Sequence, residues 1–272
     1  MSFDEEESRS EKIYRAFESK RYEEGLELAL KPLCPGEPRG PTGFNPLASA
    51  VWTGAPLSVI MRLLAIDPNA AKHIDNQGST VLQLAIYKNH PVETVLAILH
   101  AHPAAAAIKD NTGLLPVFLA VYAYTDMKVY HALHTAFPGD VDERDNNGNT
   151  LLHHAVLMGA TITANVLAAN PDAVRVKNND DYLPLHIFCK DSVGDSAVFH
   201  MLYNAYPEAV FHEHERTKET AVHMATHNPE MTWGIISALI AANPSAAKKK
   251  YKGRHHAPVD FARSYFGFVG VI

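Results

Sequence analysis

Apolar residues recur three and four positions apart in several short segments of the chain, as in Val92, Val95, Leu96 and Leu99 or Ile235, Ile236, Leu239 and Ile240. That spacing places them on one face of a helix and predicts amphipathic helices. Each such segment runs into a proline, at 68, 103, 138, 171, 207 and 244, in steps of 35, 35, 33, 36 and 37 residues. Five positions before each proline stands an aliphatic residue (Leu63, Ile98, Leu133, Val166, Leu202, Leu239), and two positions after it stands alanine, except for Asp140. A fixed period of this length marks a repeat architecture.

Polar turns lie between the repeats: Asp75-Asn76-Gln77-Gly78, Asp110-Asn111-Thr112-Gly113, Asp145-Asn146-Asn147-Gly148 and Asn178-Asn179-Asp180-Asp181. Asp and Asn bond their own backbone and Gly tolerates positive φ, so these segments reverse the chain. Helix-start signals follow. Asn45, Thr80, Thr150 and Thr220 stand at N-cap positions, and Pro46, Pro116, Pro184 and Pro258 at first helical positions, where a missing amide hydrogen costs nothing. About twenty residues separate helix start from proline, enough for two antiparallel helices. Each unit therefore reads as turn, helix, helix and a stop at the proline, which cannot continue a helix.

The turn and helix start resemble the ankyrin repeat, whose signature is a turn followed by Thr-Pro-Leu-His-x-Ala. The best match is Asp145-Asn146-Asn147-Gly148-Asn149-Thr150-Leu151-Leu152-His153-His154-Ala155. Leu183-Pro184-Leu185-His186, Thr220-Ala221-Val222-His223-Met224-Ala225 and Thr80-Val81-Leu82-Gln83-Leu84-Ala85 follow, while three units carry Ala48, Phe118 and Asp260 where histidine is usual. The resemblance covers residues 40 to 262. It implies an all-α fold, an elongated ankyrin-type solenoid of six to seven helix-turn-helix repeats in which stacked neighbours share a core that one pair cannot bury alone. Two departures stand out. The second helices end at Pro rather than Gly, and Phe188 replaces a small Ala, so a local change in stacking is expected there. Residues 8 to 31 predict a helical hairpin that caps the first unit: Ser8 and Glu11 form a capping-box pattern, with Ile13, Ala16 and Phe17 on one buried face and Leu26, Ala29 and Leu30 on another. The expected division is an acidic start, hairpin and Pro-rich linker over 1–39, a solenoid over 40–263, and an apolar tail over 264–272.

Composition narrows the function. The 272 residues are 47% apolar and 20% charged, a folding balance. A net charge of −6 offers no basic field, which makes nucleic acid a poor partner. Two cysteines without zinc or redox spacing suit a reducing compartment. No apolar run reaches the roughly 20 residues that span a bilayer, so no membrane is expected. The acidic first residues are unlike a targeting peptide. The expectation is a soluble, monomeric protein of the cytosol, with the nucleus as an alternative.

Sixteen histidines raise the question of metal or catalytic chemistry. His212 and His214 on an extended segment can aim two ligands one way, and His223 supplies a third for zinc. Against this, the segment occupies a repeat turn, and in the ankyrin family the histidine at the positions of His153, His186 and His223 bonds turn backbone. No phosphate-binding loop, serine-nucleophile or zinc-protease motif is present, and His153-His154 has no matched nucleophile. No catalytic residue, metal or cofactor is therefore assigned. Cys189 stands beside Lys190 but on an inner helix, where an inert thiol is expected. Lys248 to Arg254 is the one concentrated basic run, read as a solvated turn, with a nuclear-import signal or an anion-binding patch as alternatives, and Tyr265 to Ile272 as a cover for the last repeat or a ligand for another chain.

The family resemblance implies a concave face, built from turn tips and first helices, that binds a protein partner. Carried onto this chain, the turn tips are Asn76 and Gln77, Asn111 and Thr112, Asn146 and Asn147, and Asn179 and Asp180; the adjoining helix positions are Tyr87, Tyr122, Leu157 and Lys190. Exposed aromatic and aliphatic anchors among adaptable amides suit a binding face. The leading expectation is thus a non-enzymatic scaffold or adaptor. A metal-dependent hydrolase using His212, His214 and His223, and a self-associating structural protein, are the alternatives.

Overall fold

A computed structural model describes residues 8–31, 44–123, 127–250 and 257–261. The first seven residues, most of the Pro-rich linker with Cys34, the basic residues 251–254 and the apolar tail lie outside the described residues. Among those described, regular structure is helical, with two isolated backbone bridges, Ile74 to Thr80 and Arg144 to Thr150, closing turns. The chain forms two compact units, 1–140 and 141–272.

In the first unit, α1 (Arg9–Glu18) and α2 (Tyr22–Leu30) form the predicted hairpin, followed by the pairs α3 (Pro46–Trp52) and α4 (Leu57–Ile66), α5 (Val81–Tyr87) and α6 (Val92–Ala101), and α7 (Pro116–Ala123) and α8 (Met127–Ala136). First helices pack side by side, α1 on α3, α3 on α5 and α5 on α7, and second helices form a parallel row, α2 to α4 to α6 to α8. The second unit repeats the scheme with α9 (Leu151–Ala155) and α10 (Ala160–Ala169), α11 (Pro184–Asp191) and α12 (Ser196–Ala205), and α13 (Ala221–Ala225) and α14 (Trp233–Ala242).

Helix starts follow the local chemistry. Asn45 Oδ1 accepts from the Ala48 amide at 2.7 Å, with Pro46 as the first residue of α3. Glu11 Oε2 accepts from the Ser8 amide at 2.8 Å and Ser8 Oγ from the Glu11 amide at 3.2 Å, the reciprocal cap expected of that pair. Ile13, Ala16, Phe17 and Leu26 are buried, but Leu30, in the last turn of α2, is 58% exposed. Phe188 is fully buried, its ring centroid 6.5 Å from that of Phe199.

The prolines do more than stop a helix. The second helices end one residue earlier, and each proline opens a short further turn of 3-10 helix: Pro68–Lys72, Pro103–Ala107, Pro138–Asp142, Pro171–Arg175 and Pro207–Phe211; the sixth, Pro244–Lys248, is a turn of α-helix. Proline's fixed φ suits a first helical position. This also explains the alanine two residues later, which is buried in every turn (Ala70, Ala105, Ala173, Ala209, Ala246). Asp140 occupies the same buried position, and its carboxylate accepts from His134 Nδ1 at 2.7 Å.

Candidate functional site

The turns between repeats are built alike. Asp75 Oδ1 accepts from the amides of Gln77 and Ser79, Asp110 Oδ1 from Thr112 and Leu114, Asp145 Oδ1 from Asn147 and Asn149, and Asn178 Oδ1 from Asp180 and Tyr182. The chain then reverses through a left-handed residue: Gly78, Gly113, Gly148 and, without glycine, Asp181. Neighbouring turns are stitched together, the Asn111 amide donating to Gln77 O at 3.1 Å and the Asn179 amide to Asn147 O at 2.9 Å.

In three repeats the side chain at the third helical position anchors its own turn to the next. His153 Nδ1 accepts from the Thr150 amide at 3.1 Å and hydroxyl at 2.9 Å, and Nε2 donates to Tyr182 O at 3.0 Å. His223 does the same with Thr220 and Lys249 O. Gln83 makes the equivalent pair of contacts with its amide, accepting from Thr80 N and donating to Leu114 O, both at 2.8 Å. His186 Nδ1 accepts from Leu183 N, but its buried Nε2 finds no hydrogen-bond partner among the described residues. The turn it faces is one residue longer, running from His214 to Glu219 where the others run from Asp or Asn to the fourth residue on. Burial holds His153 neutral, its pKa lowered to about 4, and that of His186 to about 3.

Both ring nitrogens of His214 and of His223 are thereby committed: His214 accepts from Thr217 N and bonds Asp180 O at 2.8 Å. His212 instead stands by Asp181 Oδ2 at 3.4 Å and by the His186 ring. Among the described residues no three His, Cys, Asp or Glu groups converge as a metal would require. Cys189 is fully buried, and burial pushes its thiol pKa up, so Lys190 does not activate it.

The proposed partner-contact residues fall in two groups. In the first unit Asn76, Gln77, Asn111 and Thr112 are exposed at turn tips, and Tyr87 and Tyr122 are 69% and 48% exposed. In the second, Asn146, Asn147, Asn179, Asp180 and Lys190 are exposed. Leu157 differs from expectation: it is half-buried, and its neighbour Met158 is the exposed apolar residue. Several of these groups also have internal roles. Asn179 Nδ2 donates to Asn146 O at 3.1 Å, Asp180 pairs with Arg216 at 3.6 Å, and Lys190 Nζ stands 5.5 Å from the centre of the Tyr182 ring.

In the first unit three of the predicted residues, Asn76, Gln77 and Tyr87, border a cavity of about 530 Å³ together with Phe44, Trp52, Asp75, Leu84, Asp110 and Leu114, while Asn111, Thr112 and Tyr122 lie outside its lining. That volume falls within the range of ligand-binding clefts, roughly 300–1,000 Å³. Trp52 and Tyr87 stack with ring centroids 6.2 Å apart and planes within 8°, and Lys88 Nζ lies 4.5 Å from the centre of the indole. Trp52 carries no motif of its own, although the repeat register marks it: it closes α3 as Tyr87 closes α5. The degenerate first unit, without the family histidine, hid that equivalence.

No family model and no curated protein matches the sequence. Solved structures do. The ankyrin repeat domain of Bcl-3, a unique member of the IkappaB protein family, aligns with a TM-score of 0.59 at 20% identity, over 84% of this chain and 96% of that one. A chain from the predatory endopeptidase Bd0816 of Bdellovibrio bacteriovorus in complex with immunity protein Bd3460 aligns with a TM-score of 0.57 at 17% identity, over 71% of this chain and 96% of that one. At these identities the likeness establishes the fold, an ankyrin-type α-solenoid.

Proposed function

We propose, starting from the ankyrin-repeat fold, that this protein is a non-enzymatic interaction module that binds a protein partner through the face made by its turn tips and first helices. The observation that carries this is the stacking of the exposed Tyr87 on the half-buried Trp52, with the turn residues Asn76 and Gln77 around one cavity. Aromatic anchors beside adaptable polar groups are the composition of binding hot spots. The remaining proposed contacts are Tyr122, Asn111 and Thr112 in the first unit and Asn146, Asn147, Leu157, Asn179, Asp180 and Lys190 in the second. One chain of similar fold comes from a complex between an endopeptidase and an immunity protein, and no helix among the described residues is long and apolar enough to cross a membrane.

The test is affinity purification with quantitative mass spectrometry, comparing the protein with a Tyr87→Ser, Tyr122→Ser, Leu157→Ser variant. A partner lost from the variant, whose thermal unfolding shifts only by the cost of the half-buried Leu157, supports the proposal. A partner retained undiminished removes these residues from it.

A further inference from the structure

We infer that the cavity of the first unit recognises an arginine side chain of the partner, presented beside an apolar residue; this deepens the proposed binding function and rests on it. The charged groups lining the cavity are two carboxylates, Asp75 and Asp110, with no Lys, Arg or His among its lining residues. Each holds its turn through Oδ1, which fixes the carboxylate in place, while Oδ2 takes no part in those bonds. Beside them stands the aromatic pair. Lys88 holds its ammonium 4.5 Å from the centre of the Trp52 ring, so the ring open to a partner's cation is Tyr87, which is 69% exposed. A guanidinium meets both demands at once. It stacks flat on an aromatic ring and donates two parallel hydrogen bonds to a carboxylate, whereas an ammonium offers a point charge without the planar fork. The volume of about 530 Å³ exceeds one side chain, and Phe44 and Leu84 supply an apolar wall for a neighbouring residue.

The chain itself supplies the control. At the position of Asp75 and Asp110, the fourth turn carries Asn178, whose Oδ1 accepts the same pair of amides. The variant Asp75→Asn, Asp110→Asn therefore removes both charges and keeps both turns. The full-length protein is used to select from a randomised twelve-residue peptide library, and selected peptides are titrated against Trp52 fluorescence in a Trp233→Phe background. The expected result is enrichment of Arg next to an aliphatic or aromatic residue, binding weakened at least tenfold by the double Asn variant, and at least threefold by replacing the Arg with Lys in the peptide. Peptides without a basic residue, an empty selection, or affinity unchanged in the double variant would overturn the inference. A partner that is captured through Tyr87 yet binds independently of Asp75 and Asp110 would end this inference alone; failure to capture any partner would end the reading beneath it.

Discussion

His153 gives the sharpest test of how the repeats hold one another. It is 2% exposed and satisfies three buried groups, the Thr150 amide and hydroxyl and the Tyr182 carbonyl. Replacement by Ala leaves those groups unpaired at about 1–3 kcal/mol each before relaxation, so a net loss of about 3–5 kcal/mol is expected. Replacement by Gln should cost under about 1 kcal/mol, because Gln83 already makes the same two backbone contacts in another repeat. The two variants also separate in their pH dependence. The histidine pKa is near 6.5 when unfolded and about 4 when folded, chiefly through burial. Between those values the unfolded chain binds the proton and the folded chain does not, so stability is complete above pH 6.5 and is lost as pH falls toward 4. At 1.36 kcal/mol per unit the loss is about 3 kcal/mol. The more distant buried histidines His186 and His223 shift in the same direction in both proteins, while His154, which is also lowered, is coupled to His153. Urea unfolding followed by Trp233 fluorescence in a Trp52→Phe background, at pH 7 and pH 4.5, reads the second unit. The Gln variant should match the wild type at pH 7 and exceed it by a few kcal/mol at pH 4.5. An Ala variant as stable as the Gln variant, or parallel pH profiles, would refute the bridging role.

Three further outcomes follow from particular contacts. Gly148 has φ of 75°, and a Cβ there would lie 2.4 Å from Asn179 Oδ1; Gly148→Ala should lower stability by at least about 1–2 kcal/mol from backbone strain alone, measured as a shift of the urea midpoint. In the pair His134 and Asp140, His134→Ala should cost about 1.5–3 kcal/mol, while Asp140→Ala restores the residue found in the other repeats and should make the second removal of His134 nearly free; additive losses in the double-mutant cycle would argue against coupling. In a Cys34→Ser background, Cys189, with its thiol buried and its pKa raised, should react with a disulfide reagent at pH 8 only as fast as the chain unfolds, and rapid labelling of that folded variant would contradict its burial.

The repeat was legible because its markers are local: a proline, a capping residue and a turn-forming Asp or Asn each act within a few positions. Less visible was what depends on packing. The first helices are buried almost all round, as in the unbroken run Val81 to Ile86, so they carry no polar stripe to read. The burial of the alanine after each proline follows from the extra 3-10 turn, and that turn has no signal separable from a helix stop. Leu30 shares a periodic face with Leu26 yet is exposed, because periodicity assigns a residue to a face and not to the extent of what covers that face. The candidate surface was half legible: Tyr87 and the turn amides came from repeat register, whereas Trp52, Asp75 and Asp110 join them only through the three-dimensional stack, and the exposure expected of Leu157 passed to Met158.

Photo-crosslinking from single positions tests the central claim most directly. A benzophenone amino acid replacing Tyr87 or Tyr122, on first helices, should join covalently to one and the same partner, while the same group replacing the exposed Arg62 or Glu93, on second helices, should not. Equal crosslinking from both rows of helices, or a partner seen only from the second row, would contradict the account.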